Sequence, residues 1–190
     1  MVLRTWRQKV KDYNEITNVW PIVRRYFVIG AFDGALTILG LVVGAFVAGA
    51  TAFLIVAASL SAGIGLSVSS AVGAYEAERV EKKLDQWTIE RAMLVRMSEE
   101  HREAYRFAAI LSAFVHGIAP LIAAILPVLP FLYFEIGPAT VFAILITAVM
   151  LFIMGSYLGA LVHERFYLTG LRFVAAGLGT ALLLWILGFV

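Results

Sequence analysis

A chain of 190 residues that is 62% hydrophobic and 15% charged, with a mean hydropathy of +0.90, carries more apolar surface than a soluble domain of this size can bury. The absence of cysteine excludes a disulfide framework, thiolate zinc sites, iron–sulfur clusters and cysteine nucleophiles. The net charge is only +2, so the placement of the 15 Lys/Arg and 13 Asp/Glu is more informative than their sum. The expected class is all-α, a polytopic integral membrane protein with five transmembrane helices.

The N-terminus is charged throughout and has no apolar core of the kind a cleaved signal peptide needs, so the first span itself is expected to direct insertion. Over residues 1–22, Leu3, Trp6, Val10, Tyr13, Thr17 and Trp20 recur every three or four positions, with Arg4, Arg7, Lys11 and Glu15 between them. This predicts a basic amphipathic helix in the headgroup region, ended by Pro21 and followed by Arg24 and Arg25 at the membrane edge.

Span one is expected over about Tyr26–Val47 and span two over about Ala52–Tyr75, joined by a short uncharged turn; together they form a unit of residues 26–75. Span one carries a single charge, Asp33, roughly 10 Å past Tyr26 by helical rise. An acidic residue near a span's centre costs about 2.5–3.5 kcal/mol on insertion scales and usually faces a partner or a wet pathway, which makes Asp33 a candidate ion or proton site. Gly30 and Gly34 form a GxxxG pair, and Gly40 and Gly44 continue a small-residue strip for close helix packing. Span two is dense in small residues, among them Ala62, Ser67, Ser69 and Ser70. It is therefore expected to be buried against neighbouring helices, its hydroxyls either lining a path or packing.

Residues 76–106 turn charged and contain neither glycine nor proline, so span two is predicted to project as a helix into the cytosol. Val80, Leu84 and Trp87 make an apolar edge, whereas Glu78, Glu81 and Asp85 share another. Ser98 before Glu99 and Glu100 reads as an N-cap, which makes the segment a charged helical hairpin. Its arms carry Glu76, Glu78, Glu81 and Asp85, then Glu99, Glu100 and Glu103. These are either solvated helix charges or a carboxylate cluster that collects a divalent cation.

Residues 107–190 hold the last three spans. In span three, Phe107–Leu132, His116 lies at a depth similar to Asp33 and is either a hydrogen-bonding contact to a neighbouring helix or a proton relay. Pro120, Pro127 and Pro130 are expected to bend or break its outer half. Span four, Ala139–Val162, holds Met150 and Met154 on one face, read as packing. Span five, Phe166–Val190, ends the chain. With the N-terminus cytoplasmic, six Lys/Arg precede span one, seven lie between spans two and three, and Arg165 and Arg172 flank the start of span five. All 15 are then inside, which the positive-inside rule favours, and the C-terminus at Val190 is outside. No phosphate-binding loop, nucleophile elbow or HExxH motif occurs, so no enzyme is expected, and the bases beside the spans give no nucleic-acid surface.

FDGALTILGLVVG in span one, SSAVGAYEAE closing span two, the acidic segment after it, HGIAPLIAAILPVLP in span three and LTGLRFVAAGLGTALLLWILG near the end together resemble the vacuolar iron transporter family. The similarity runs over roughly Arg25–Val190, its most specific piece being the Asp33–Gly34 pair. It implies a homodimer of five-span subunits in a lipid membrane, the cell membrane in a prokaryote. Such a dimer would export Fe(II) or Mn(II) from the cytosol by proton antiport through a path at the dimer interface. The metal is the transported ion, and no permanently bound cofactor is implied. Asp33 matches the family's ion-contacting aspartate. Where better-known members carry a glutamate and a methionine in span two, this chain has Ala62 and Ser70, and the family's cytosolic metal-binding domain is reduced to the hairpin. Asp33, His116 and Ser70 are the expected pathway residues, with the hairpin carboxylates at the inner mouth. The alternatives are a non-transporting membrane scaffold or sensor, and a transporter of another small solute.

Overall fold

The computed structural model describes residues 6–187; Leu3 and Arg4 of the amphipathic stretch and Val190 at the C-terminus lie outside the described residues. The chain is all-helical: α1 (Trp6–Thr17), α2 (Val19–Val47), α3 (Ala52–Met93), α4 (Glu99–Val128) with a 3-10 turn at Leu129–Leu132, α5 (Ile136–Leu161) and α6 (Phe166–Leu187). Five of these, α2 to α6, are long and apolar enough to cross a membrane.

The first helix ends at Asn18, in the left-handed region at φ 45°, three residues before the expected stop at Pro21. Asparagine tolerates that conformation, and Pro21 then sits in the first turn of α2, where a missing N–H has no intrahelical partner to lose. The amphipathic stripe is also docked on protein: the Tyr13 hydroxyl donates to Glu103 Oε2 at 2.7 Å, and its ring lies 5.5 Å from that of Phe107.

α2 touches every other span and is the bundle's centre. Its core faces divide into three levels. Val19 and Val23 meet Ala108 at the charged end. Ala31 and Ala35 meet Ala119, Ala123, Leu151 and Met154 in the middle, and Met150 packs on the same cluster, in keeping with a packing role for that methionine pair. Ile38 and Val42 meet Ile55, Ala124, Val128 and Phe131 at the far end.

The close approach of α2 to α4 rests on Gly30 and Gly34. A Cβ on Gly34 would lie 2.7 Å from Pro120 Cα and 2.9 Å from its carbonyl oxygen. One on Gly30 would lie 2.9 Å from the His116 carbonyl oxygen. That carbonyl is the one Pro120 deprives of its i+4 N–H, so the proline and the glycine pair belong to one contact. α4 runs on through Pro120 and Pro127 without breaking, and only Pro130 falls in the 3-10 turn. Gly40 approaches the Leu184 side chain, whereas Gly44 has nothing within 4 Å of an added Cβ.

α3 departs from expectation in its membrane half. Ser59, Gly63 and Ala74 are buried, but Ser61, Gly65, Ser69 and Gly73 are exposed in the single chain, with Ile64, Val68 and Val72 beside them. Small side chains permit a neighbour but do not supply one, and only one side of this helix is covered within the chain. Beyond the apolar stretch α3 continues unbroken to Met93, and Ser98 caps α4 as expected, its Oγ accepting from His101 N at 3.4 Å. Glu90 Oε1 accepts from both the Gln86 amide (2.8 Å) and Met97 N (2.9 Å), closing the hairpin turn.

Gly34→Ala drives its methyl into the Pro120 backbone, which cannot rotate away, and is expected to destabilise the subunit by about 1–3 kcal/mol. Gly44→Ala meets open space and should leave the unfolding midpoint of the detergent-solubilised subunit unchanged or slightly raised.

Candidate functional site

The site is organised by the helical register of α2. Ala31 and Ala35 belong to the middle core level, which fixes the depth of Asp33 between them, yet Asp33 itself is exposed. Tyr26, Ile29, Asp33, Thr37, Gly40 and Gly44 recur at three- and four-residue steps and form one stripe, in which Ile29, Asp33 and Thr37 are all exposed. α6 borders the stripe, through the edge-on contact of Phe32 with Phe173 (centroids 4.7 Å apart) and the contact of Gly40 with Leu184. The charged half of α3 closes it at Tyr26. A carboxylate at mid-depth thus lies on the open face of the chain, followed along the stripe by Thr37, Gly40 and Gly44.

Seven residues from Asp33 along this stripe, roughly 10 Å by helical rise, the Tyr26 side chain lies beside Glu78. The Glu78 side chain is only 5% exposed. Its Oε1 lies 3.8 Å from an Arg25 nitrogen, and its Oε2 is buried with no hydrogen-bond partner. A buried carboxylate oxygen without a donor is costly, which singles out Glu78 among the acids of the hairpin.

Four of the other predicted carboxylates have partners elsewhere, three of them on their own helix. Glu76 pairs with Arg79 and Glu99 with Arg102, Asp85 lies 3.5 Å from Lys82, and Glu103 accepts from Tyr13. Among the described residues no three His, Asp or Glu side chains come together as a metal-binding group. The structure of one chain therefore does not assemble Glu76, Glu81, Asp85, Glu99, Glu100 and Glu103 with Glu78. For Glu76, Asp85 and Glu99 the cause is the i, i+3 spacing of acids and bases, which lets each find a base on its own helix first.

His116 is half-buried, and its Nδ1 lies 2.8 Å from the Tyr26 carbonyl oxygen. A carbonyl only accepts, so Nδ1–H donates and the side chain bridges α4 to α2. Of the two readings of this histidine, the helix-bridging one has the geometry. Ser70 lies on the packed row of α3 with Gly63 and Ala74, and is half-buried there. The sequence reading missed Arg25 and Tyr26 as the companions of Glu78. In the sequence Arg25 is only a topology signal, and no spacing rule links the two helices.

A family model described as the VIT family matches residues 88–189, from the end of α3 through α6. An uncharacterized protein of Methanocaldococcus jannaschii is 35% identical over 164 residues, covering 84% of this chain and 85% of that protein.

Arg25→Gln leaves the Glu78 carboxylate buried without its cation. Because Arg25 is 63% exposed and the contact is long, the expected cost is about 1–2 kcal/mol rather than the full penalty of a buried pair, read from thermal unfolding. Adding Glu78→Gln should recover part of the loss.

Proposed function

The chain belongs to the VIT family, and on that premise we propose that it carries a divalent transition-metal ion, Fe(II) or Mn(II), out of the cytosol in exchange for protons. Membership makes it an integral multi-pass membrane protein of a family of metal-ion transporters. The observation that carries the finer reading is the exposure of Asp33 at mid-depth. Facing lipid, its charge would cost about 2.5–3.5 kcal/mol, so the subunit is incomplete at that face.

A second copy of the chain completes it. Two α2 stripes brought together across a twofold axis set two Asp33 carboxylates against one another, and the exposed small-residue face of α3 supplies the remaining close contact. Two hard oxygen donors without thiolates suit Mn(II) or Fe(II) better than Cu(I). Glu78 is the entry ligand in this scheme. Its unpartnered oxygen lies one step toward the charged end, and the mostly exposed Arg25 can leave as the cation arrives. Topology follows the charge count, with the charged end in the cytosol.

The proton sign is fixed by the carboxylates. Ionised Asp33 holds the cation, and protonation from the opposite side removes the charge and releases it, so metal exit and proton entry alternate at one site. His116, committed to the Tyr26 carbonyl, holds α4 against α2 and need not carry the proton.

In vesicles containing a pH-sensitive dye, the wild-type protein should couple Mn(II) or Fe(II) movement to proton movement. Asp33→Asn, which keeps the shape and removes the charge, should reduce both to the level of protein-free vesicles; unchanged coupling in that variant contradicts the mechanism. The cysteine-free chain permits a second test. Thr37→Cys should form a disulfide-linked dimer on oxidation in membranes, while Val149→Cys, on the exposed face of α5, should stay monomeric.

A further inference from the structure

On another side of the hairpin, α3 and α4 enclose a cavity of about 480 Å³, within the range of about 300–1,000 Å³ typical of small-molecule sites. Its walls carry five bases, Arg79, Lys82 and Lys83 from α3 and Arg102 and Arg106 from α4, and no carboxylate. Tyr75 and Tyr105 complete its polar lining with Gln86. Three of the bases have acidic partners, Glu76, Asp85 and Glu99, and none of these lines the cavity. Lys83 and Arg106 have no carboxylate partner among the described residues, so the cavity holds two uncompensated positive charges.

We propose that this cavity binds the phosphate group of an anionic membrane lipid. Several of the donors are already fixed. The Lys82 side chain is only 15% exposed, and its ammonium lies over the Tyr105 ring, 5.5 Å from the centroid. Arg102 is oriented by Glu99 Oε1 at 2.8 Å and the Met97 carbonyl at 3.2 Å, while its Nε is buried without a partner. Oriented guanidinium groups beside ammonium groups match a phosphate, which accepts from several donors at once.

Position selects a lipid over a soluble phosphate. The cavity begins at Tyr75 and Ala109, where the apolar stretches of α3 and α4 give way to charge, which is headgroup depth. The Arg106 row on α4 continues into the apolar half as Ile110 and Phe114, both of them exposed. A phosphate in the cavity would leave its acyl chains along these side chains. The proposal rests on no part of the metal reading.

The test uses the full chain in non-ionic detergent, titrated calorimetrically with dioctanoyl phosphatidic acid, dioctanoyl phosphatidylcholine and inorganic phosphate. Phosphatidic acid should bind saturably and more tightly than phosphatidylcholine. Lys83→Gln/Arg106→Gln should weaken it by about tenfold or more, the loss of charge-assisted contacts, while Lys83→Arg/Arg106→Lys retains binding. Arg165→Gln/Arg172→Gln, which removes the same charge away from the cavity, should bind as wild type. Should the double glutamine variant fail to fold, Arg106→Gln alone carries the same expectation in smaller measure. Inorganic phosphate binding as tightly as phosphatidic acid, and losing affinity in the same variants, would keep the phosphate site and assign it to a soluble phosphate. Equal binding by wild type and the Lys83/Arg106 glutamine variants, or equal loss in the Arg165/Arg172 control, would overturn the proposal.

Discussion

A carboxylate held at the middle depth of an apolar bundle, on the side that its own chain leaves open, is the constraint on which the rest of this structure depends. The depth is set by Ala31 and Ala35, which are locked in the core on the opposite side of the same helix turn. The direction is set by the helical period, which cannot bury Gly30 and Gly34 against α4 and also turn Asp33 inward. The packing of α2 on Pro120 and the exposure of Asp33 are therefore consequences of one register. A shift of that helix by one residue would lose both.

The hairpin beyond the spans separates charge around its helices. On α3 the row that begins at Glu78 continues with Glu81 and Asp85, while Arg79, Lys82 and Lys83 fall on the side that faces the bases of α4. Glu78 is buried beside Tyr26 at the end of the Asp33 stripe, and the uncompensated bases are gathered in a cavity at headgroup depth. In the reading developed here, cation entry and anionic lipid binding use different faces of one hairpin, so a bound lipid phosphate would not occupy the cation's route.

Much of the architecture was legible from hydropathy and spacing: five apolar helices, the projecting charged hairpin, the Ser98 cap and the methionine packing face all follow from local rules. What local rules could not supply was the identity of neighbours. Span two is rich in small residues, but composition does not say that only one of its faces is covered within the subunit. The hairpin acids are spaced for a cluster, yet they are also spaced for bases on their own helix, and the nearer partner wins. Arg79 with Lys83, and Arg102 with Arg106, stand four residues apart in plain view. Their significance appears only when α3 and α4 are placed side by side. Asp33 was recognisable as a candidate site from its cost alone; that it faces away from the rest of its own chain depends on which side of α2 the glycines occupy.

The most direct test of the central claim is anomalous diffraction from crystals of the full chain grown in lipid and soaked in Mn(II). The account predicts a twofold dimer joined through the α2 stripe, with a manganese peak on or near the axis at coordination distance from an Asp33 carboxylate. A dimer that turns the two Asp33 side chains away from each other, or manganese found only among the hairpin acids, would contradict it.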